Sequence, residues 1–219
     1  MAAPDPSLNS ILKWSIEASA PVDPSSTSQP AVRAPDASAL AALFGSGPSD
    51  AELMKLSMES ILSSDVSLPD KVTAFDNLEQ LLESLDNANN LAPLELWTPL
   101  IKLLESEEQE LRVYAAWCVG TAVQNNEQTQ LRALQGGAVP LLVRMALGKA
   151  AEGSREGSEG EELKERKKGR YAVSSLIRNF QPGVDEVVRV LKEEGVKVEE
   201  KVDSGNMEGV DGLIAKLGV

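Results

Sequence analysis

From Ser49 onward the chain is a succession of short amphipathic helices that recur roughly every 40 residues. WTPLIKLL sets Pro99 and Leu100 where AVPLLVRM sets Pro140 and Leu141, 41 residues on. LLESLDN aligns with VGTAVQN, which puts Asn125 38 residues after Asn87. A third copy, AVSSLIRN, puts Asn179 a further 54 residues on, with Tyr171 in register with Trp117 and Arg166 with Arg112. The excess over the period matches AAEGSREGSEGE, a glycine- and glutamate-rich stretch that reads as an inserted loop.

A single helix pair cannot bury its apolar face, whereas stacked pairs share one continuous core. The period therefore predicts an all-α fold, an armadillo/HEAT-like helical repeat solenoid. Ser49 or Asp50 is expected to cap a first helix with Leu53, Met54, Met58, Ile61 and Leu62 inward. Pro69 marks the start of a second, with Val72, Phe75, Leu78, Leu82 and Leu85 inward. Gly169, inside the long helix of the third copy, costs about 1 kcal/mol relative to Ala and is expected to interrupt it. Only VKVEEKV is ambiguous between strand and coil, and MEGVDGLIAKL is a candidate last helix with Val210, Leu213, Ile214 and Leu217 on one face.

Residues 1–48 are different in kind. They are rich in Ala, Pro and Ser, and PVDPSSTSQPAVRAP has no periodicity, so a flexible N-terminal arm is expected. Two apolar pieces interrupt it, LNSILKWSIEAS and ASALAALFG; each suits either a helix docked on the domain or a peptide that folds on a partner. The expected organisation is an arm at 1–48, repeats at 49–194 with a low-complexity insert at 149–163, and a tail at 195–219.

Composition narrows the chemistry. The 219 residues include no histidine and one cysteine, and 34 acidic against 21 basic side chains leave a net charge of −13. No Ser-His or Cys-His pair and no His-ligated metal can be built, and one cysteine makes neither a zinc cluster nor an internal disulfide. Excess negative charge is repelled by nucleic acid and by anionic membranes. No membrane span or leader is evident, and Cys118, within AAWCVGTAV, reads as a buried free thiol in a reducing compartment. Carboxylate pairs such as Glu79/Glu83 share a helix face, but such runs are usually solvated, and no phosphate loop is present. No cofactor or metal is expected, and the chain is not expected to be an enzyme.

Each repeat closes its long helix with amides: Asn87-Ala88-Asn89-Asn90, Gln124-Asn125-Asn126 and Arg178-Asn179. These form either a ladder facing a partner or helix C-caps in the left-handed conformation that Asn tolerates. The two readings are compatible.

ILKWSI, LAALFG, SDAELMK, AFDNLEQLLESLDNANNL, AAWCVGTAVQNNE and AVSSLIRNFQPG follow one another along most of the chain. In that order they resemble the armadillo-type nucleotide exchange factors of the 70-kDa heat-shock chaperone, the heat-shock-protein-binding-protein class. The resemblance implies a protein that grips the chaperone's ATPase domain, favours its open cleft and so speeds loss of ADP and release of client; a monomer is expected, with the cytoplasm the default reducing compartment and the nucleus the alternative. It implies chaperone contacts at Asn87, Ala88, Asn89, Gln124, Asn125, Arg166, Arg178 and Asn179. It also implies a client-release role for the arm through Ile11, Leu12, Trp14 and Ile16. The alternative is an armadillo-type scaffold that binds peptides without exchange activity.

Overall fold

The computed structural model describes residues 47–149 and 159–218; the arm residues Ile11, Leu12, Trp14 and Ile16 lie outside them. The described part is helical: α1 (Asp50–Leu62), α2 (Leu68–Leu82), α3 (Leu85–Asn90), α4 (Trp97–Lys102) with a 3-10 turn (Leu103–Glu105), α5 (Gln109–Ala122), α6 (Glu127–Gln135), α7 (Ala138–Ala146), α8 (Glu159–Ile177), α9 (Gln181–Glu193) and α10 (Met207–Ala215). None of these is long and apolar enough to cross a membrane. The ambiguous VKVEEKV forms no regular element.

Local chemistry sets the boundaries. The Ser49 hydroxyl accepts from the Glu52 N–H while Glu52 accepts from the Ser49 N–H, a complete capping box at α1. Ser67 caps α2 ahead of Pro69, and Asn206 caps α10. Asn125 and Asn179 adopt φ of 49° and 55°, so the capping alternative holds at both positions.

The long helices α2, α5 and α8 lie side by side, with α5 in the middle. Its small residues let both neighbours come close: Ala115, Ala116, Cys118 and Val119 are wholly buried. Phe75, Leu78, Leu142, Leu176 and Ile177 are also at or below 1% exposure, each worth about 1.5–3 kcal/mol of burial. The tail closes the core as expected, with Val210, Leu213, Ile214 and Leu217 all buried.

Four expectations change. Leu53 and Leu62 are 36% and 53% exposed. At 100° per residue they flank the narrower buried stripe of Met54, Met58 and Ile61. Leu85 is 58% exposed because the chain turns at Ser84 and starts α3, ending the α2 periodicity. Gly169 does not interrupt α8. A Cβ there would stand 2.8 Å from the Ala146 nitrogen and 3.0 Å from the Leu142 oxygen, so glycine lets α8 lie against the α7 backbone. Finally, residues 159–163, assigned to the insert from sequence, are the opening turn of α8.

Candidate functional site

The face shared by α2, α5 and α8 carries a strip of aromatic rings. Phe75 of α2 stacks on Tyr114 of α5 at 5.8 Å, and Tyr114 lies 5.9 Å from Trp117 one turn on. Two lysines of α8 lie across these rings: Lys164 Nζ is 5.2 Å from the Tyr114 centroid and Lys168 Nζ 3.4 Å from that of Trp117. Burial lowers the Lys168 pKa; Glu79 acts against that shift and Lys164 adds to it. Burial, then Asp76 and Glu110, raise that of Tyr114.

Beyond Trp117 the strip opens into a cavity of about 460 Å³. Glu79, Leu82, Glu83, Leu85 and Ala88 line one side of it; Thr121, Ala122, Gln124, Asn125 and Tyr171 line the other. Gly120 makes the arrangement possible, since a Cβ there would stand 2.5 Å from Tyr171 Cε1. With that space free, the Tyr171 ring lies on α5.

The polar groups form a directed chain. Gln124 Nε2 donates to the Tyr171 oxygen at 2.8 Å, and Thr121 donates its hydroxyl hydrogen to Glu79 Oε1 at 2.7 Å. Thr121 has one hydrogen, so the 3.3 Å contact between Thr121 Oγ1 and Tyr171 must use the tyrosine as donor. Every dipole in the relay therefore points toward the Glu79 carboxylate, which is only 8% exposed.

The residues expected from sequence divide by place. Ala88, Gln124 and Asn125 line the cavity. Asn87 is buried and donates to Asp50 Oδ2 at 2.8 Å and to the Leu81 carbonyl at 3.0 Å, tying α3 to α1 and α2. Asn89 accepts from Asn126 at 3.0 Å, so the two amide motifs hold each other. Arg178 pairs with Asp211 of α10 at 2.8 Å. Asn179 is the exposed left-handed residue after α8, and Arg166 faces the end of α7, 3.4 Å from the Ala146 carbonyl. None of these last three lines the cavity.

Sequence reasoning missed Thr121, Lys164 and Lys168 as site residues and read Glu79, paired with Glu83, as part of a solvated face. The signal available was the register that put Trp117 against Tyr171: equivalent positions on successive long helices fall on one face.

Residues 8–91 match the family described as nucleotide exchange factor Fes1, and residues 87–206 match the SIL1/FES1/HPBP1 C-terminal domain. The chain belongs to the Fes1 family. The two matches overlap on Asn87 to Leu91, the α3 segment beside the cavity. The Hsp70 nucleotide exchange factor FES1 of Gibberella zeae is 50% identical over 98% of both chains. The protein of the same name from Coccidioides immitis is 41% identical and the fes-1 protein of Neurospora crassa 42%, each over 97% of both chains. The Fes1 family is one of exchange factors and not a family of catalysts.

Proposed function

We propose that this Fes1-family chain is a nucleotide exchange factor for the cytosolic 70-kDa heat-shock chaperone, which it engages as a monomer through the ATPase domain. The observation that carries the reading is the 50% identity, over nearly the whole length, to a protein named as an Hsp70 nucleotide exchange factor. The buried free thiol of Cys118, whose pKa burial pushes well above its usual value, suits a reducing compartment. The chain forms no covalent intermediate in this reading and binds no nucleotide itself.

The mechanism is linkage. If the chain weakens ADP binding by some factor, ADP weakens the chain's binding by the same factor. The chain must therefore prefer the open nucleotide cleft, because equal affinity for open and closed clefts would shift nothing. The α2–α5–α8 face, with Ala88, Gln124 and Asn125 at its cavity, is the surface we assign to the chaperone. Asn87 and Asn89 act by holding α3 in place, and Arg178 and Asn179 extend the face just past the end of α8. Arg166 is the weakest member of the set, since it faces α7.

Stopped-flow release of fluorescent ADP from the chaperone ATPase domain tests the reading. Acceleration is expected, and no change at saturating protein would end it. Ala88 is 2% exposed, so the exposed lining residue Gln124 is the position to change. Gln124→Arg should abolish acceleration while far-UV circular dichroism stays unchanged, and full activity would remove the cavity from the contact. For the arm, replacing Ile11, Leu12, Trp14 and Ile16 with alanine should slow release of a bound client and leave ADP release intact. Equal client release by both proteins would count against that role.

A further inference from the structure

Buried carboxylates in proteins are normally matched by a cation or by a full set of hydrogen-bond donors. Among the described residues Glu79 has neither an ion pair nor a full set of donors. It is 8% exposed, and among the described residues its side chain accepts one hydrogen bond, from the Thr121 hydroxyl to Oε1. No basic group among the described residues forms an ion pair with it. Lys168, whose charge the Glu79 carboxylate favours, sits instead on the face of Trp117. Glu83, one turn along α2, is exposed and lines the same cavity. The cavity thus holds two carboxylates, a relay of dipoles directed at one of them, and no cation in its lining.

We propose that this cavity is the socket for a basic side chain, lysine or arginine, on the surface of the partner's ATPase domain. This rests on the exchange-factor reading above and names the chemistry by which that same face recognises its partner. The incoming cation meets the free Glu79 oxygen and the Glu83 carboxylate. Its apolar stem lies along Leu82, Leu85 and Ala88. The Thr121 bond holds the Glu79 carboxylate in place, so the cation meets an oriented anion. Leu85, which turned out to be exposed, then acts as part of the rim that excludes water. The same geometry accounts for the choice of Gln124→Arg: a guanidinium from the exposed position just past the end of α5 would occupy the socket from within.

The test measures affinity for the isolated chaperone ATPase domain at low and moderate salt. It compares the full-length protein with Glu79→Gln, Glu83→Gln and the double variant. Asp65→Asn, which removes one exposed charge away from the face, controls for net charge. The double variant is expected to bind at least about tenfold more weakly with a flatter salt dependence, while Asp65→Asn binds as the parent does. Parental affinity and salt dependence in the double variant would overturn the socket. Glutamine keeps the acceptor for Thr121; should Glu79→Gln nevertheless fold poorly, the exposed Glu83→Gln decides, and parental affinity there overturns the proposal. The two readings fail separately. A parent protein that does not accelerate ADP release refutes the exchange reading, whereas parent and double variant that accelerate it equally refute only the socket.

Discussion

Glu165 and Glu79 are both almost wholly withdrawn from water, at 4% and 8% exposure, but their surroundings differ. Glu165, on the side of α8 toward α5, accepts from Arg112 Nε at 2.6 Å and Nη2 at 3.0 Å, and from Gln109 at 2.9 Å. Arg112 Nη1 donates to the Ser106 and Glu107 carbonyls. That carboxylate is saturated, and its task is to lock the second repeat to the third. Glu79 receives one hydroxyl and faces an open cavity. A saturated buried charge belongs to the fold, while an unsaturated one beside a cavity is available to something outside it.

The comparison can be broken experimentally, and the expected effects grade from large to small. Glu165→Ala strands the Arg112 guanidinium and should cost about 3–5 kcal/mol in urea or thermal unfolding. A loss below about 1 kcal/mol would mean the lock is not one. Gly169→Ala, though favourable for an isolated helix, should cost about 1–3 kcal/mol because α8 would be pushed off α7; a stabilised variant would contradict that close approach. Tyr171→Phe deletes the middle of the relay and should cost about 1 kcal/mol by the same measurement, with weaker chaperone binding. Glu79→Gln should shift stability by less than about 1 kcal/mol while lowering affinity, the reverse of Glu165→Ala. If both glutamate variants lost stability alike, the distinction between them would fall.

The smallest effect is at the surface junction of α7 and α9. Lys149 and Arg144 hold the Glu194 carboxyl below its usual range through hydrogen bonds of 2.9 and 2.8 Å. A depressed carboxyl stabilises the fold above the ordinary carboxylate range, and the contribution is lost as pH falls through the folded pKa. Both cations are half-exposed, so Glu194→Gln should cost under about 1 kcal/mol at neutral pH, with the difference from the parent vanishing in acid.

Much of the helix pattern was legible because it is local. Ser49, Ser67 and Asn206 announce helix starts through their side-chain oxygens, and Asn125 and Asn179 end helices because Asn tolerates positive φ. The candidate site was legible only in part. Ala88, Gln124 and Asn125 were reached through motifs, and all three line the cavity. Glu79 was noticed with Glu83 as a carboxylate pair and read as a solvated face. That reading holds for Glu83, which is exposed, and fails for Glu79 because α5 covers it with Thr121. Gly169 was read by helix propensity alone, a single-helix quantity that carries no information about the backbone of α7.

By itself the sequence determined the helical class, the repeat and the family, and by lacking histidine it excluded Ser-His and Cys-His pairs and His-ligated metals. These follow from spacing, residue order and the presence or absence of side-chain types, all of which a linear chain displays. The partition of its charges was decided only by tertiary structure. Glu79 and Glu165 have the same side chain, and their difference arises from which helix lies opposite. α8 brings Glu165 to Arg112, 53 residues away in the chain, while Thr121 brings Glu79 one hydrogen and leaves its second oxygen to the cavity.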